Sequence, residues 1–301
     1  MSPTRARSHA ERVPVTPALL RRWELPHPCG GKESRGRILV VGGSAETPGA
    51  VLLAAEAALR AGAGKLQVAT VRSTARSLAV ALPEALVRGL EETADGAVAP
   101  SAAEQVADLA EAATCVLVGP GLKDVEQSAA LLRALVPHVH CPIVVDALAL
   151  AAVTEDKKVL HRFQGRAVLT PNQTELRRTL QLDEDEQDEQ SLERDALKLA
   201  KLSRAVVSVG GAASYITAPD GRTWADYTGG AGLGVSGSGD VRAGLTAGLV
   251  ARGADADQAA VWAAHLHGRA GERLAALVGR LGFLARELPG QVPGLLAEIE
   301  Q

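Results

Sequence analysis

A strand, a helix and a second strand packed into residues 37–71 leave this chain few folds to choose from. Arg37-Ile38-Leu39-Val40-Val41 is a short apolar run rich in β-branched residues, and Gly42-Gly43-Ser44 breaks it. Pro48 suits a first helical turn. Val51, Leu52, Ala55, Ala58 and Leu59 then recur at helical spacing until Gly62-Ala63-Gly64 stops them. Leu66 to Val71 reads as the next strand. A helix of this length is the usual crossover between parallel strands, so the unit predicts a parallel sheet.

The alternation carries on. Cys115 to Val118 predicts a strand ending in Gly119-Pro120-Gly121, followed by a helix before Pro137 and a strand from Pro142 to Val145 that ends in Asp146. Ala167 to Leu169 leads into Thr170-Pro171-Asn172 and a helix reaching about Leu180. Gln181 to Gln190 reads as an acidic surface loop, and Ser191 to Leu202 as a helix. The strands Ala205 to Val209 and Ser214 to Thr217 meet at Gly210-Gly211, and Asp220-Gly221 marks a hairpin, so the sheet is expected to turn antiparallel there. The last third reads as three helices: one from Gly239-Asp240 to about Arg252, one from Asp257 to about Val278, and one closing the chain.

With 301 residues and 47% apolar side chains, the chain has enough material for a large core, and whole-chain disorder is excluded. Aromatics are only 2%, so close contacts among small side chains must build the interior, which suits a layered α/β protein. A net charge of −3 offers no field to draw in nucleic acid or an anionic membrane. Cys29, Cys115 and Cys141 are too scattered for a disulfide framework or a zinc site, which implies a reducing compartment. No apolar run approaches the roughly 20 residues that span a bilayer, and the start of the chain lacks a secretory core, so a cytoplasmic location is expected. Arg5, Arg7 and Arg12 read as a frayed tail. We expect residues 1–34 to form an N-terminal extension and residues 35–301 a single domain.

The strongest chemical signal is Gly229-Gly230-Ala231-Gly232, then Gly234, then Gly237-Ser238-Gly239-Asp240, running straight into an apolar helix. So many glycines carry an entropic penalty that only a need for bare backbone explains. A helix start with open N–H groups favours phosphate. Asp240 would repel that phosphate unless it stood beside it to take a proton from an attacking hydroxyl; the alternative is an N-capping Asp. Gly42-Gly43-Ser44, Gly119-Pro120-Gly121, Asp146 and Asn172 all fall at the carboxyl ends of strands, where open parallel sheets collect ligands. Asn172 and Glu175 could hold a water shell around Mg²⁺, or could form a helix cap with a first-turn acid. His265 and His267, two apart on a helix, point about 200° apart and cannot share a metal; both read as structural or interfacial. Trp224 and Tyr227 fit hairpin packing better than purine stacking.

Taken in order, these segments resemble the ADP- or ATP-dependent NAD(P)H-hydrate dehydratases of the ribokinase-like superfamily, from about Arg35 to His267. The resemblance rests on Gly36-Arg37 through Ser44, Pro48-Gly49-Ala50, Ala57-Ala58-Leu59-Arg60-Ala61-Gly62-Ala63-Gly64, Gly119-Pro120-Gly121-Leu122, Leu169-Thr170-Pro171, and Gly237-Ser238-Gly239-Asp240 with Ala243-Gly244. The alanine-rich block is what points to the dehydratases. What the resemblance implies is a three-layer α/β/α domain with a mostly parallel sheet and an antiparallel edge. It also implies repair of hydrated NADH or NADPH with ADP or ATP as co-substrate and Mg²⁺. Asp240 would be the base, and the N–H groups of Ser238 and Gly239, after Gly237, would steady the transferring phosphoryl group. Ala50 and Gly121, with Asn172 and Asp240, match positions facing the hydrated cofactor. Gly210, Gly211, Ala212, Ala213, Ser214 and Gly239 lie where the family contacts the nucleotide. A homo-oligomer, up to a homotetramer, is implied as well, and so is an NAD(P)H-hydrate epimerase as a separate chain.

The chain departs from the family pattern in three places. Asn172-Gln173-Thr174-Glu175 stands where many members have His-Pro-Gly-Glu and looks like the Asn-x-x-Glu of sugar and vitamin kinases. Gly210-Gly211 replaces Lys-Gly, and Asp146-Ala147-Leu148 replaces Asp-Ala-Asp. Where a charged hydrogen bond is absent, binding weakens by about 1 to 3 kcal/mol. A small-molecule kinase and a catalytically silent nucleotide-binding relative are therefore the alternatives.

Overall fold

The computed structural model describes residues 12–27, 30–182 and 189–301. Its strands are β1 (Val13–Pro14), β2 (Arg37–Val41), β3 (Lys65–Val71), β4 (Ala85–Leu90), β5 (Cys115–Val118), β6 (Ile143–Val145), β7 (Ala167–Leu169), β8 (Val206–Val209), β9 (Ser214–Thr217) and β10 (Thr223–Asp226). They form one sheet in the order β1-β10-β9-β8-β7-β6-β5-β2-β3-β4. β2 to β8 pair in parallel, whereas β9 runs antiparallel to both β8 and β10, so the antiparallel edge lies where the Gly210-Gly211 and Asp220-Gly221 turns predict it.

The helices are α1 (Pro17–Arg22), α2 (Pro48–Arg60), α3 (Arg72–Ala81), α4 (Ala107–Ala112), α5 (Val125–Leu135), α6 (Leu150–Glu155), α7 (Gln173–Leu180), α8 (Glu189–Ser203), α9 (Ser238–Ala251), α10 (Ala256–Leu277) and α11 (Val292–Glu300). Successive strand residues face opposite ways, so each strand feeds two cores. Ile38, Val40, Cys115 and Leu117 pack with α2, α9 and α10, while Leu39, Val41, Val116 and Val118 pack with helices α4 to α8. The result is a three-layer α/β/α arrangement.

The small-residue composition has its use where α9 lies on α2. A Cβ on Gly244 or Gly248 would overlap the carbonyl oxygen of Ala54 or Ala58, so bare backbone lets the two helices touch directly. That contact seats the start of α9 beside the start of α2.

Helices α4 and α6 carry no sequence expectation, and two further parts of the fold depart from the sequence reading. Residues 72–90 form α3 and the edge strand β4, whose Arg88 and Gly89 break the apolar pattern that marks the inner strands. The N-terminal segment is the second. β1 pairs with β10, Leu20 and Leu25 are buried in the core, and Trp23 stacks on Trp224 with ring centroids 5.5 Å apart. Residues 13–25 are thus packed onto the domain that was expected to begin at residue 35. Arg12 pairs with Glu193 at 3.1 Å, while Arg5, Arg7 and Cys29 lie outside the described residues, as does most of the acidic stretch after Gln181. Among the described residues, no helix is long and apolar enough to cross a membrane.

Candidate functional site

The loops at the carboxyl ends of the central strands meet as the strand order requires. After β2, the Gly43 N–H donates to the Pro120 carbonyl (2.7 Å) in the loop after β5, and the Thr47 hydroxyl donates to the Gly121 carbonyl (2.7 Å). Gly121 has φ +70°, and a Cβ there would stand 3.0 Å from that of Ala50, so Ala50 and Gly121 form one tight wall. Beside them, at the end of β6, the Asp146 carboxylate accepts from the Thr170 hydroxyl at 2.7 Å.

A cavity of about 610 Å³ opens over β8 and β9. Gly210, Gly211, Ala212 and Ser214 line one side, Ser238 and Gly239 the start of α9, and Arg242, His267 and Asn172 the rest. Ala213, grouped with them by sequence, is instead buried in the core beneath. Ala50, Gly121 and Asp240 are not among the cavity's lining residues.

The first turn of α9 stands between these two regions. Gly237 caps it at φ +89°, with no side-chain cap bond, so Asp240 is not the N-cap; it sits in the first turn with its side chain free for other work. The Ser238 N–H donates to the Val235 carbonyl at 3.1 Å. Gly239 is exposed, and open space lies where a Cβ would stand, so its backbone is the unobstructed part of the helix start.

On the other flank, three acids stand close enough to act on one another's titration or be acted on. Burial, then the neighbouring Asp240 carboxylate, push Asp146 up to about 8. Burial, then Glu175, push Asp240 up to about 6. An arrangement in which Glu175 raises Asp240 and both raise Asp146 fits a divalent cation or a proton arriving with substrate, because either relieves the repulsion. Glu175 and Asn172 form a full capping box on α7, with Asn172 Oδ1 accepting the Glu175 N–H (2.8 Å) and Glu175 Oε2 accepting the Asn172 N–H (2.9 Å). One oxygen of Glu175 is therefore held by the helix. Among the described residues, no cluster of three or more His, Cys, Asp or Glu forms a ready-made metal cage.

His265 and His267 do point apart. His265 bonds the buried Asp226 at 2.8 Å, whereas His267 Nε2 meets Ser238 Oγ at 2.9 Å on the cavity wall. Enclosure and the facing Arg242 charge push the His267 pKa down. By sequence His267 reads as structural or interfacial, because nothing in its helical spacing sets it apart from a core histidine. Arg242 was missed altogether. Its signal was present, since a charge between Val241 and Ala243 on a buried apolar helix needs a reason. Trp224 is spent on Trp23, and Tyr227 is exposed and off the cavity wall.

Comparison with known proteins identifies the family. The model of the NAD(P)H-hydrate dehydratase family matches residues 38–293. An ADP-dependent (S)-NAD(P)H-hydrate dehydratase of Xanthomonas campestris is 47% identical over 284 residues, covering 94% of this chain and 95% of that protein. A bifunctional NAD(P)H-hydrate repair enzyme of Moorella thermoacetica is 37% identical, covering 98% of this chain but 56% of its own length. The crystal structure of the ADP/ATP-dependent NAD(P)H-hydrate dehydratase of Bacillus subtilis, grown with ATP and Mg²⁺, superposes with a TM-score of 0.79 at 26% identity, covering 97% of this chain and all of that one. Ribokinase-like proteins share the fold. The glycine loop opening α9, the parallel sheet beneath it and the match over residues 38–293 together place this chain in the NAD(P)H-hydrate dehydratase family.

Proposed function

We propose that this protein is an ADP-dependent dehydratase that returns the 6S-hydrate of NADH or NADPH to the normal reduced cofactor. The observation that carries the reading is the first turn of α9, which presents bare Gly239 backbone to the cavity while holding Asp240 beside Asp146 and Glu175 on the other flank. The nucleotide lies along Gly210, Gly211, Ala212 and Ser214, its terminal phosphoryl group at Gly239. The hydrated nicotinamide takes the wall built from Ala50 and Gly121, near Asn172.

The chemistry follows from that division. Asp240 takes the proton of the ring hydroxyl as its oxygen attacks the terminal phosphorus of ADP, and the bond to the AMP oxygen breaks. The ring then carries a phosphate ester in place of a hydroxyl. Phosphate leaves with the C–O bonding pair as the neighbouring ring carbon gives up a proton, and the double bond returns. The Gly239 N–H steadies charge on the transferring group. Mg²⁺, held by Glu175 through water, would offset phosphate charge.

The Asn172-x-x-Glu175 pattern favours a second reading, a kinase for a small alcohol that stops at the phosphate ester. One assay divides the two. Hydrated NADH is supplied with ADP and, separately, with ATP, and reduced-nicotinamide absorbance is followed; recovery with ADP is expected. A stable phosphorylated product with no recovery would leave the kinase, and no turnover with either nucleotide would leave a silent relative. We further propose a cytoplasmic homo-oligomer, a tetramer in the fullest form, that receives the S-hydrate from an epimerase on a separate chain. Light scattering of the purified protein tests the assembly.

A further inference from the structure

Among the residues lining the cavity, Arg242 is the one that carries a permanent charge, and the reaction described above gives it no part. It is 7% exposed, yet it lines the cavity together with Gly210, Gly211, Ser238 and Gly239. Among the described residues its single hydrogen bond runs from Nη2 to the Pro171 carbonyl at 3.3 Å, and its Nε has no partner there. A guanidinium offers five donors, so most of its capacity is unspent, and at the buried Nε an unspent donor is costly. The groups around it come from four elements: Asp146 after β6, Glu175 on α7, His267 on α10 and the bare Gly210 after β8. Both carboxylates act on Arg242 through their charge, while its hydrogen bond goes to a backbone carbonyl. A Cβ on Gly210 would stand 2.5 Å from Arg242 Nη1, although the backbone there has a conformation that any L-residue adopts. The guanidinium therefore fills the space a side chain at position 210 would enter. A buried, under-bonded cation on the wall of a cavity that also takes in a bare helix start calls for an anion.

We propose that Arg242 grips the terminal phosphates of the adenine nucleotide, so that α9 supplies the cation that the Gly210-Gly211 loop leaves out. This rests on the nucleotide occupying the cavity over β8 and β9. Helix α9 thereby carries both halves of the transfer: Arg242 holds the phosphates on one side and Asp240 takes the proton on the other. Gly210 is bare because a side chain there would displace the guanidinium.

The test compares wild type, Arg242→Leu, Arg242→Lys and the double variant Gly210→Lys/Arg242→Leu, measuring dissociation constants for ADP, ATP and adenosine by calorimetry and competition. Arg242→Leu should weaken ADP and ATP by roughly 10- to 100-fold while moving adenosine less than about twofold, because only phosphate contacts are lost. Arg242→Lys should recover part of the loss. The double variant, with its cation returned from the strand side, should bind ADP more tightly than Arg242→Leu. Equal losses for ADP and adenosine would mean that the arginine only shapes the cavity, and unchanged ADP affinity in Arg242→Leu would end the proposal. So would a double variant no better than Arg242→Leu with adenosine binding intact. A wild-type protein that binds ADP through Arg242 yet fails to restore hydrated NADH would overturn the dehydratase reading and leave this inference standing.

Discussion

Burial and one neighbouring acid decide when Asp240 can act. Burial and Glu175 hold its pKa up at about 6, so it is a carboxylate over most of the neutral range and a stronger base than an exposed Asp. A base works only when deprotonated. The apparent second-order rate for the hydrate should therefore fall as pH drops below about 6 and level off above it. Asp240→Asn should lose about 10²- to 10⁴-fold in rate and abolish that acid limb, with ADP binding kept; an unchanged rate would mark a silent relative. Asp146 makes the opposite kind of prediction. Its folded pKa of about 8 lies far above that of an unfolded Asp, so its contribution to stability is whole below about pH 4 and is lost as pH rises toward 8. Asp146→Asn keeps an oxygen for the Thr170 hydroxyl and removes the titration. Urea unfolding should show the variant gaining on wild type between pH 5 and pH 8, and a constant difference across that range would refute the assignment.

At the scale of elements, the contact between α2 and α9 positions the chemistry, since Gly237 at the head of α9 has Leu53 of α2 against it. Gly244→Ala would drive a methyl into the Ala54 backbone, and the helix pair must part to admit it. The expected loss is about 1 to 3 kcal/mol, read as a lower denaturation midpoint with unchanged slope, together with reduced activity because the start of α9 moves. A variant as stable and active as wild type would show that the pair tolerates separation. α7 illustrates how an element limits a functional guess. Asn172 and Glu175 were open to a metal role or a cap by sequence, and their mutual hydrogen bonds settle the cap, leaving Glu175 one free oxygen for water.

Across the whole molecule, the N-terminal segment extends the sheet and closes one core. Leu20 is fully buried, so Leu20→Ala should remove about 2 to 5 kcal/mol of stability while ADP affinity stays near wild type, as the cavity lies elsewhere; a thermal midpoint within a degree of wild type would show that this segment is not docked. The inner strands were legible because burial on both faces leaves continuous apolar runs, and the loops at their carboxyl ends were legible because glycines and acids there serve no core. β1, β4 and α1 were not, since short edge elements are held by what they pack against rather than by a period of their own. Local chemistry in the sequence determined the parallel sheet, the bare-backbone loop before α9 and the acid that follows it. Only the tertiary structure decided which residues share a cavity: His267 and Arg242 joined it, Ala213 left it, and Asp240 turned to its far flank. A side chain's direction depends on neighbours distant along the chain, and no local pattern carries that information.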